Sequence, residues 1–179
     1  MPYQQAMTSA FDLFKLGVGP SSSHTMGPMT AGARFLERLA GLGLLARTTR
    51  VEIALYASLA LTGRGHATDR AVILGLAGFT PATIDPDAAD AALEAIRAGG
   101  LLKLGPEGPQ IGFDETRDIL WQGRTRVPQH PNAVVFRAFA GESLLVERLY
   151  FSVGGGFVVD EDEMAANAAP ILAVPLPHP

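Results

Sequence analysis

The sequence contains no cysteine among its 179 residues. This absence excludes a disulfide framework, a cysteine nucleophile, and any zinc or iron–sulfur site ligated by cysteines of this chain. Lysine is nearly as scarce, since only Lys15 and Lys103 occur. A pyridoxal-phosphate enzyme needs a Schiff-base lysine, so that function would depend on one of these two residues.

The chain also lacks an excess of basic charge and lacks long apolar runs. Fourteen Lys and Arg against eighteen Asp and Glu give a formal net charge of −4, which provides no electrostatic reason to expect nucleic-acid binding. Arg124 and Arg126 near Trp121 fit a solvated face better than a base-stacking surface. The longest apolar stretch, 51–61, is too short to span a bilayer, and residues 1–10 resemble no signal peptide. We expect a cytoplasmic protein with no membrane partner.

An apolar content of 47% indicates a packed domain. Helical periodicity comes first and strand-like segments dominate later, which predicts a single α+β domain with a mixed or mostly antiparallel sheet and helices on one face. The domain is expected over residues 1–163, and a proline-rich linker over 164–179. The predicted helices are 29–44, 66–77 and 86–98, and the predicted strands are 51–57, 101–104, 110–113, 133–139, 143–152 and 157–159.

Smaller expectations concern helix packing and capping. Asp85 is predicted to cap the third helix, and Gly141 lies in a predicted hairpin turn. The buried stripe of the first helix is expected to comprise Met29, Ala33, Leu36, Ala40 and Leu44.

The first candidate site is Gly-Pro-Ser-Ser-Ser-His-Thr at 19–25. A glycine loop that runs into a helix start gathers backbone N–H groups and hydroxyls, which suits a carboxylate or phosphate. His24 adds a group that titrates near neutrality. The alternative interpretation is a serine-rich helix cap, with His24 merely at the helix start.

The second candidate site is Thr-Gly-Arg-Gly-His-Ala-Thr-Asp at 62–69. Its glycines indicate a flexible loop that lets the backbone approach a ligand, and Asp69 can either cap the helix or orient His66. The alternative is a capped loop-to-helix junction. Because both sites place a histidine and a threonine before a helix, their two imidazoles can face one pocket.

The third candidate combines His130-Pro131-Asn132 with a glycine triplet at 154–156. Such a triplet marks a bulge, a close approach of a ligand, or a tight turn, and the tight turn is favoured here. His130 is expected to be structural. The spacing of His24, His66 and His130 carries no local metal-ligand pattern, and no Gly-x-Ser-x-Gly elbow occurs.

Four motifs occur in order: FDLFKLGVGPSSSHTMGPM at 11–29, LALTGRGHATDRA at 59–71, HPN at 130–132 and YFSVGGGFVVDE at 150–161. In these motifs the chain closely resembles the start of iron–sulfur-dependent bacterial L-serine dehydratases (L-serine ammonia-lyases). The resemblance spans essentially the whole chain.

The resemblance implies conversion of L-serine to pyruvate and ammonia without pyridoxal phosphate. It implies a [4Fe–4S] cluster held by a C-terminal catalytic domain or alpha chain, and a homo-oligomeric enzyme. The N-terminal part is called the beta domain or beta chain and is similar to the allosteric substrate-binding domain of some phosphoglycerate dehydrogenases.

The same resemblance assigns roles to residues of this chain. His24 and His66 are expected to be catalytic, and which of them is the base stays open. No residue of this chain is expected to ligate a metal. The residues expected to bind substrate are Ser21, Ser22, Ser23, Thr25, Thr68, Asp69, Asn132, Gly154 and Gly155.

One feature departs from the family. The sequence ends in a proline-rich tail before any cysteine appears, so we expect a beta domain alone, either truncated or one subunit of a two-chain enzyme. The isolated chain is then expected to be inactive. The alternative is an allosteric module that binds L-serine or an anion without catalytic residues.

Overall fold

The computed structural model describes residues 21–167 as an α+β domain, as the sequence predicts. The predicted apolar element before the first serine motif lies outside the described residues. The helices are α1 Gly27–Gly41, α2 Ala57–Thr62, α3 Thr68–Leu76, α4 Pro86–Gly99, α5 Glu115–Asp118 and α6 Glu161–Asn167. The strands are β1 Arg50–Tyr56, β2 Leu101–Lys103, β3 Gln110–Gly112, β4 Ile119–Gln122, β5 Ala133–Ala140, β6 Ser143–Gly154 and β7 Phe157–Asp160.

Five strands form a mixed sheet in the order β4-β1-β5-β6-β7, and β2 with β3 forms a separate two-stranded sheet. Only β1 and β4 run parallel within the larger sheet. The predicted hairpin between β5 and β6 is confirmed, because Gly141 adopts a left-handed φ of +59° in its turn. The mixed sheet predicted from the sequence is therefore present.

Helices α1 and α3 pack together and cover one face of the large sheet, where most of the apolar core lies. The two helices approach closely at Gly32 and Gly75. A Cβ on Gly75 would lie 2.3 Å from the backbone oxygen of Met29, so glycine is required at this crossing. The helix predicted over 86–98 is confirmed as α4, with Asp85 accepting hydrogen bonds from the N–H groups of Asp87 and Ala88.

The opposite face of the sheet carries a row of charged side chains beside buried apolar ones such as Val135 and Phe151. Arg137 on β5 lies between Glu52 and Glu147 of the neighbouring strands, at distances of 2.8 and 2.5 Å. Cross-strand ion pairs of this kind suit a face in contact with water.

One sequence expectation about the core was wrong, and one strand was not predicted. The buried stripe of α1 contains Phe35 and Leu39, whereas Ala40 is exposed. Large side chains lose more contact with water than alanine does, so they set the orientation of the helix. The strand β4 was missed altogether, because its four residues are too few to display an alternating pattern.

The end of the described range is helical. The predicted linker, 164–179, begins within α6, and its residues 168–179 lie outside the described part of the chain. Arg148 ties α6 to β6 through ion pairs with Glu161 and Asp162. Among residues 21–167, none of the helices combines the length and apolar character that crossing a lipid bilayer requires.

Candidate functional site

The predicted motifs meet at one end of the large sheet. The first contacts the second directly through the rings of His24 and His66. Ser58, just before the second motif, donates its backbone N–H to the carbonyl of Pro131 in the third. The fourth joins the third where Ser152 donates its N–H to the carbonyl of Asn132. The chain thus brings four distant segments into one connected cluster.

His24 lies in a π-helical turn, Ser22–Met26, that continues directly into α1. Its Nδ1 is 3.0 Å from Ser23 Oγ and its Nε2 is 3.1 Å from Ser58 Oγ. Both ring nitrogens therefore have hydroxyl partners. The alternative interpretation, a serine-rich helix cap, is wrong, because neither Ser21 before the π-helical turn nor the residue before α1 makes a capping hydrogen bond through its side chain.

His66 ends a 3-10 turn, Gly63–His66, where the sequence predicted a flexible loop. Its Nδ1 lies 2.9 Å from the carbonyl oxygen of Thr62. A carbonyl only accepts, so Nδ1 carries a proton, and in the neutral form of the ring the lone pair is on Nε2. Among the described residues, no hydrogen-bond partner reaches that Nε2. His66 therefore has the nitrogen that can take a proton from a ligand.

The two imidazole rings lie 5.0 Å apart between centroids, at an interplanar angle of 39°. Burial lowers the pKa of His24, and the neighbouring His66 lowers it further, while contact with Ser58 opposes the shift. Two imidazolium ions this close repel each other, so the arrangement disfavours double protonation. The lowered pKa keeps His24 neutral near pH 7.

Two threonines hold the histidine turns together in a crossed arrangement. Thr25 donates its hydroxyl to the carbonyl of His66 at 3.0 Å, and Thr68 donates its hydroxyl to the carbonyl of His24 at 2.6 Å. Both threonines are fully buried. Each hydroxyl proton is used on the backbone of the opposite turn, so these two predicted substrate-binding residues fix the geometry of the pair.

The backbone is strained beside both turns. Within residues 21–167, the non-glycine residues with positive φ are Ala57 at +41° and Ala67 at +55°. Ala57 directly precedes Ser58, and Ala67 directly follows His66. Such conformations persist where the surrounding structure enforces them, and they concentrate at functional sites. The two strained residues are thus neighbours in sequence of Ser58, which hydrogen-bonds His24, and of His66 itself.

Asp69 does not orient His66, which corrects one of the two readings of the sequence. Its carboxylate faces the guanidinium of Arg97 on α4 at 3.5 Å, and it lies in the first turn of α3. The carbonyl of Thr62 orients His66 instead. Asp69 therefore pairs with Arg97 and makes no hydrogen bond to His66 among the described residues, and Ala67, not Asp69, occupies the N-cap position of α3.

The third and fourth motifs support the sheet end beside the pair. Asn132 donates its side-chain amide to the carbonyl of Ser152 at 3.3 Å, and its backbone N–H donates to His130 Nδ1 at 3.1 Å. Gly154 and Gly155 form the turn between β6 and β7 with positive φ values, as the tight-turn interpretation predicts. This glycine turn packs against the π-helical turn Ser22–Met26. A Cβ built on the third glycine of the triplet would lie 3.1 Å from the Met26 side chain.

Sequence reasoning missed Ser58, the partner of His24 Nε2. A signal was available, because Ser58 follows the carboxyl end of a predicted strand, where side chains often reach a site.

The arginine that lies over the Trp121 ring is neither of the two that are near it in sequence. The guanidinium of Arg64 lies 4.5 Å from the centre of the Trp121 ring, whereas Arg124 and Arg126 are exposed.

The residues present do not fit a metal cluster. The chain has no cysteine, and residues 21–167 contain no group of three or more His, Cys, Asp or Glu side chains placed to hold a metal ion.

Sequence comparisons identify the family. A family model described as the serine dehydratase beta chain matches residues 9–163. L-serine dehydratase TdcG of Escherichia coli is 42% identical over 161 residues, which cover 90% of this chain and 35% of that protein. L-serine dehydratase of Streptomyces coelicolor is 43% identical over 160 residues, covering 89% and 35%. This chain spans about a third of the length of these relatives, and it belongs to the serine dehydratase beta chain family.

Proposed function

We propose that this chain forms one wall of an L-serine dehydratase active site that converts L-serine to pyruvate and ammonia. Two findings support the proposal: membership of the beta chain family and the histidine pair at the sheet end. The related proteins are named L-serine dehydratases, and this chain corresponds to about a third of their length. The rest of the site is proposed to lie in a part equivalent to their remaining length.

His66 is proposed to act as the base that removes the α-proton of L-serine. The observation that carries this assignment is the hydrogen bond from Nδ1 to Thr62, which leaves the lone pair on Nε2 without a partner among the described residues. A general base must present such a lone pair to its substrate. His24 cannot serve in the same way while serine hydroxyls occupy both of its nitrogens.

His24 is proposed to position the pair and to keep its surroundings uncharged. Ser21 and Ser23 lie within hydrogen-bonding distance of each other and of His24, so their hydroxyls belong to the support of that ring. Ser22 is exposed and has no such partner in the described range. Ser22 is therefore the serine of this turn that we assign to the substrate.

The iron–sulfur cluster expected from the resemblance has no ligand set in the described residues. We propose that it is ligated outside this chain, where it would supply Lewis-acid chemistry. The role of His66 stated above does not depend on it.

Replacement of the base in the intact enzyme tests this function. His66→Ala is expected to lower kcat/KM for L-serine by about 100-fold or more, as loss of a general base does. Arg47→Ala, an exposed residue at the opposite end of the sheet, is the matched control and should retain full activity. Near-normal turnover of the His66 variant would contradict the proposal.

Two measurements on the chain itself separate catalysis from the alternative, a module that binds L-serine without chemistry. The chain alone should form no pyruvate, and measurable formation would contradict a composite site. Calorimetric titration with L-serine should show no micromolar binding. Micromolar binding together with full turnover of the His66 variant would instead establish the binding module.

A further inference from the structure

The turn that carries His66 has little rigidity of its own. Gly63–His66 is a 3-10 turn, and the hydrogen bonds of such turns have poorer geometry than those of an α-helix. Gly63 and Gly65 are glycines, which lose more conformational freedom on folding than any other residue. The orientation of His66 therefore depends on contacts that other segments make with this turn.

Two contacts from other segments fix the two ends of the turn. At its end, Thr25 donates its hydroxyl to the carbonyl of His66. At its start, Gly63 is buried, and a Cβ built on it would lie 3.0 Å from Cζ3 of Trp121 and 3.0 Å from the hydroxyl oxygen of Thr68. The indole of Trp121 therefore packs against the backbone of Gly63, so closely that a side chain at that position would crowd it.

Trp121 is itself held by the sheet. It lies on β4, the outer strand of the large sheet, and its register partner on β1 is Leu55. Leu55 is fully buried in the core that the helices cover, and the indole is partly buried against the same core. The ring is thus a supported surface on which the turn can rest.

Arg64 adds a second contact between the turn and the indole. Its guanidinium lies 4.5 Å from the centre of the Trp121 ring, which is the geometry of a cation–π interaction. Arg64 directly follows Gly63 in the chain. The indole therefore contacts two consecutive residues of the turn, one through its backbone and one through its side chain.

The contact at Gly63 acts on the group that orients His66. The carbonyl of Thr62 accepts the hydrogen bond from His66 Nδ1 at 2.9 Å. That carbonyl and the nitrogen of Gly63 belong to one planar peptide group. If Gly63 moved, this peptide group would rotate and Nδ1 would lose its acceptor. The packing of Trp121 against Gly63 therefore secures the tautomer and the direction of the His66 ring.

We propose that Trp121 is a positioning residue for His66, and that Arg64 keeps the indole against the turn. This inference rests on the proposed role of His66 as the base, and Trp121 acts through the turn and not on the substrate. Placement of a catalytic group matters greatly, since a displacement of about 1 Å can lower a rate by about 100-fold. The edge strand β4, which lies outside the four sequence motifs, thereby contributes to the site.

NMR of the imidazole nitrogens in the full chain at pH 7.5 tests the positioning role without measuring activity. In Trp121→Leu, the ¹⁵N shifts of His66 should move from those of a ring protonated on Nδ1 towards those of a mixture of both tautomers. Leu120→Ala is the matched control. It weakens the same strand on the opposite face of the sheet, so it should leave the His66 shifts unchanged.

Steady-state kinetics of the intact enzyme measure the consequence for catalysis. Trp121→Leu is expected to lower kcat about tenfold with little change in KM, because the base is displaced while other substrate contacts remain. Trp121→Phe keeps an aromatic face against Gly63 and should recover most of that loss. Arg64→Gln should lower kcat by a smaller factor, about twofold, and Arg64→Lys should have less effect because it keeps the cation.

Three results would overturn the inference: unaltered His66 shifts in Trp121→Leu, the same change of shifts in Leu120→Ala, or a wild-type kcat in Trp121→Leu. Each of them would leave the proposed catalysis by His66 intact. Failure of the proposed function is observed separately, as full turnover of the His66→Ala enzyme.

Discussion

The two histidine turns are built from similar sequences, Ser-His-Thr at 23–25 and His-Ala-Thr at 66–68, yet they place their rings in different settings. His24 has a serine hydroxyl at each nitrogen, whereas His66 has a backbone carbonyl at Nδ1 and a free Nε2 in the described range. The lesson is that the partners of an imidazole, rather than the motif around it, set its chemical role.

The difference between His66 and His24 should have its largest effect on catalysis. In the intact enzyme, His66→Gln is expected to lower kcat by about 100-fold or more, because the base is lost. His24→Gln should cost about tenfold or less, because an amide can still hydrogen-bond Ser23 and Ser58. Steady-state kinetics with L-serine measures both. Equal losses in the two variants would remove the distinction between the turns.

The hydrogen bonds from the two threonine hydroxyls to the opposite histidine turns can be removed by substitution. Thr68→Val should lower the free energy of unfolding by about 1 to 3 kcal/mol, because the buried carbonyl of His24 loses its donor. Thr25→Val should act in the same direction on the carbonyl of His66. Urea denaturation of the chain measures the change.

The conservative variants Thr25→Ser and Thr68→Ser keep the donor and serve as controls. Each should retain most of the stability that the corresponding valine variant loses. A valine variant as stable as its serine counterpart would show that the crossed hydrogen bonds contribute nothing to the pair.

The pH dependence of the free energy of unfolding tests whether folding lowers the pKa of His24. Its pKa in the folded chain lies below the ordinary value of 6.5, so the unfolded chain binds this proton more readily. The associated stability is complete above pH 6.5 and is lost as the pH falls through the lower, folded pKa. Urea denaturation at pH 7.5 and 5.5 should show this loss.

His24→Gln should reduce that pH dependence, and His130→Gln should reduce it separately, because burial lowers the pKa of His130 as well. Comparison of the two variants isolates the part that belongs to the pair. An unchanged pH dependence in His24→Gln would contradict the assigned shift.

The smallest expected effect concerns the coupling between the rings. His66→Gln removes the neighbouring titratable imidazole that helps to lower the pKa of His24, so the pKa of His24 should rise. Because burial is the larger cause, it should remain below its ordinary value. NMR titration of the His24 ring protons provides the measurement, and a fall in the pKa of His24 would contradict the coupling.

Much of the fold follows from local sequence patterns. Periodicity predicted α1, α3 and α4 and six of the seven strands, because each of these elements carries either an amphipathic stripe or a cap such as Asp85. β4 did not follow, since four residues hold too little pattern. The buried stripe of α1 was misplaced because alanine at position 40 and leucine at 39 both count as apolar in the pattern.

The sequence predicted which residues gather at the site, but it did not predict which of their atoms contact one another. The loop–His–Thr repeat indicated that His24 and His66 can face one pocket, and the rings lie 5.0 Å apart. The crossed threonine bonds and the Ser58 contact depend on tertiary geometry between segments more than thirty residues apart in sequence. Asp69 was ambiguous, because a carboxylate near a histidine can instead pair with a distant arginine.

The tautomer of His66 tests the central claim most directly. Long-range ¹H–¹⁵N NMR of the imidazole nitrogens in the full chain at pH 7.5 distinguishes a protonated Nδ1 from a protonated Nε2. The hydrogen bond to Thr62 predicts a protonated Nδ1 and an unprotonated Nε2 in His66. A protonated Nε2 in His66 would contradict the assignment of this residue as the base.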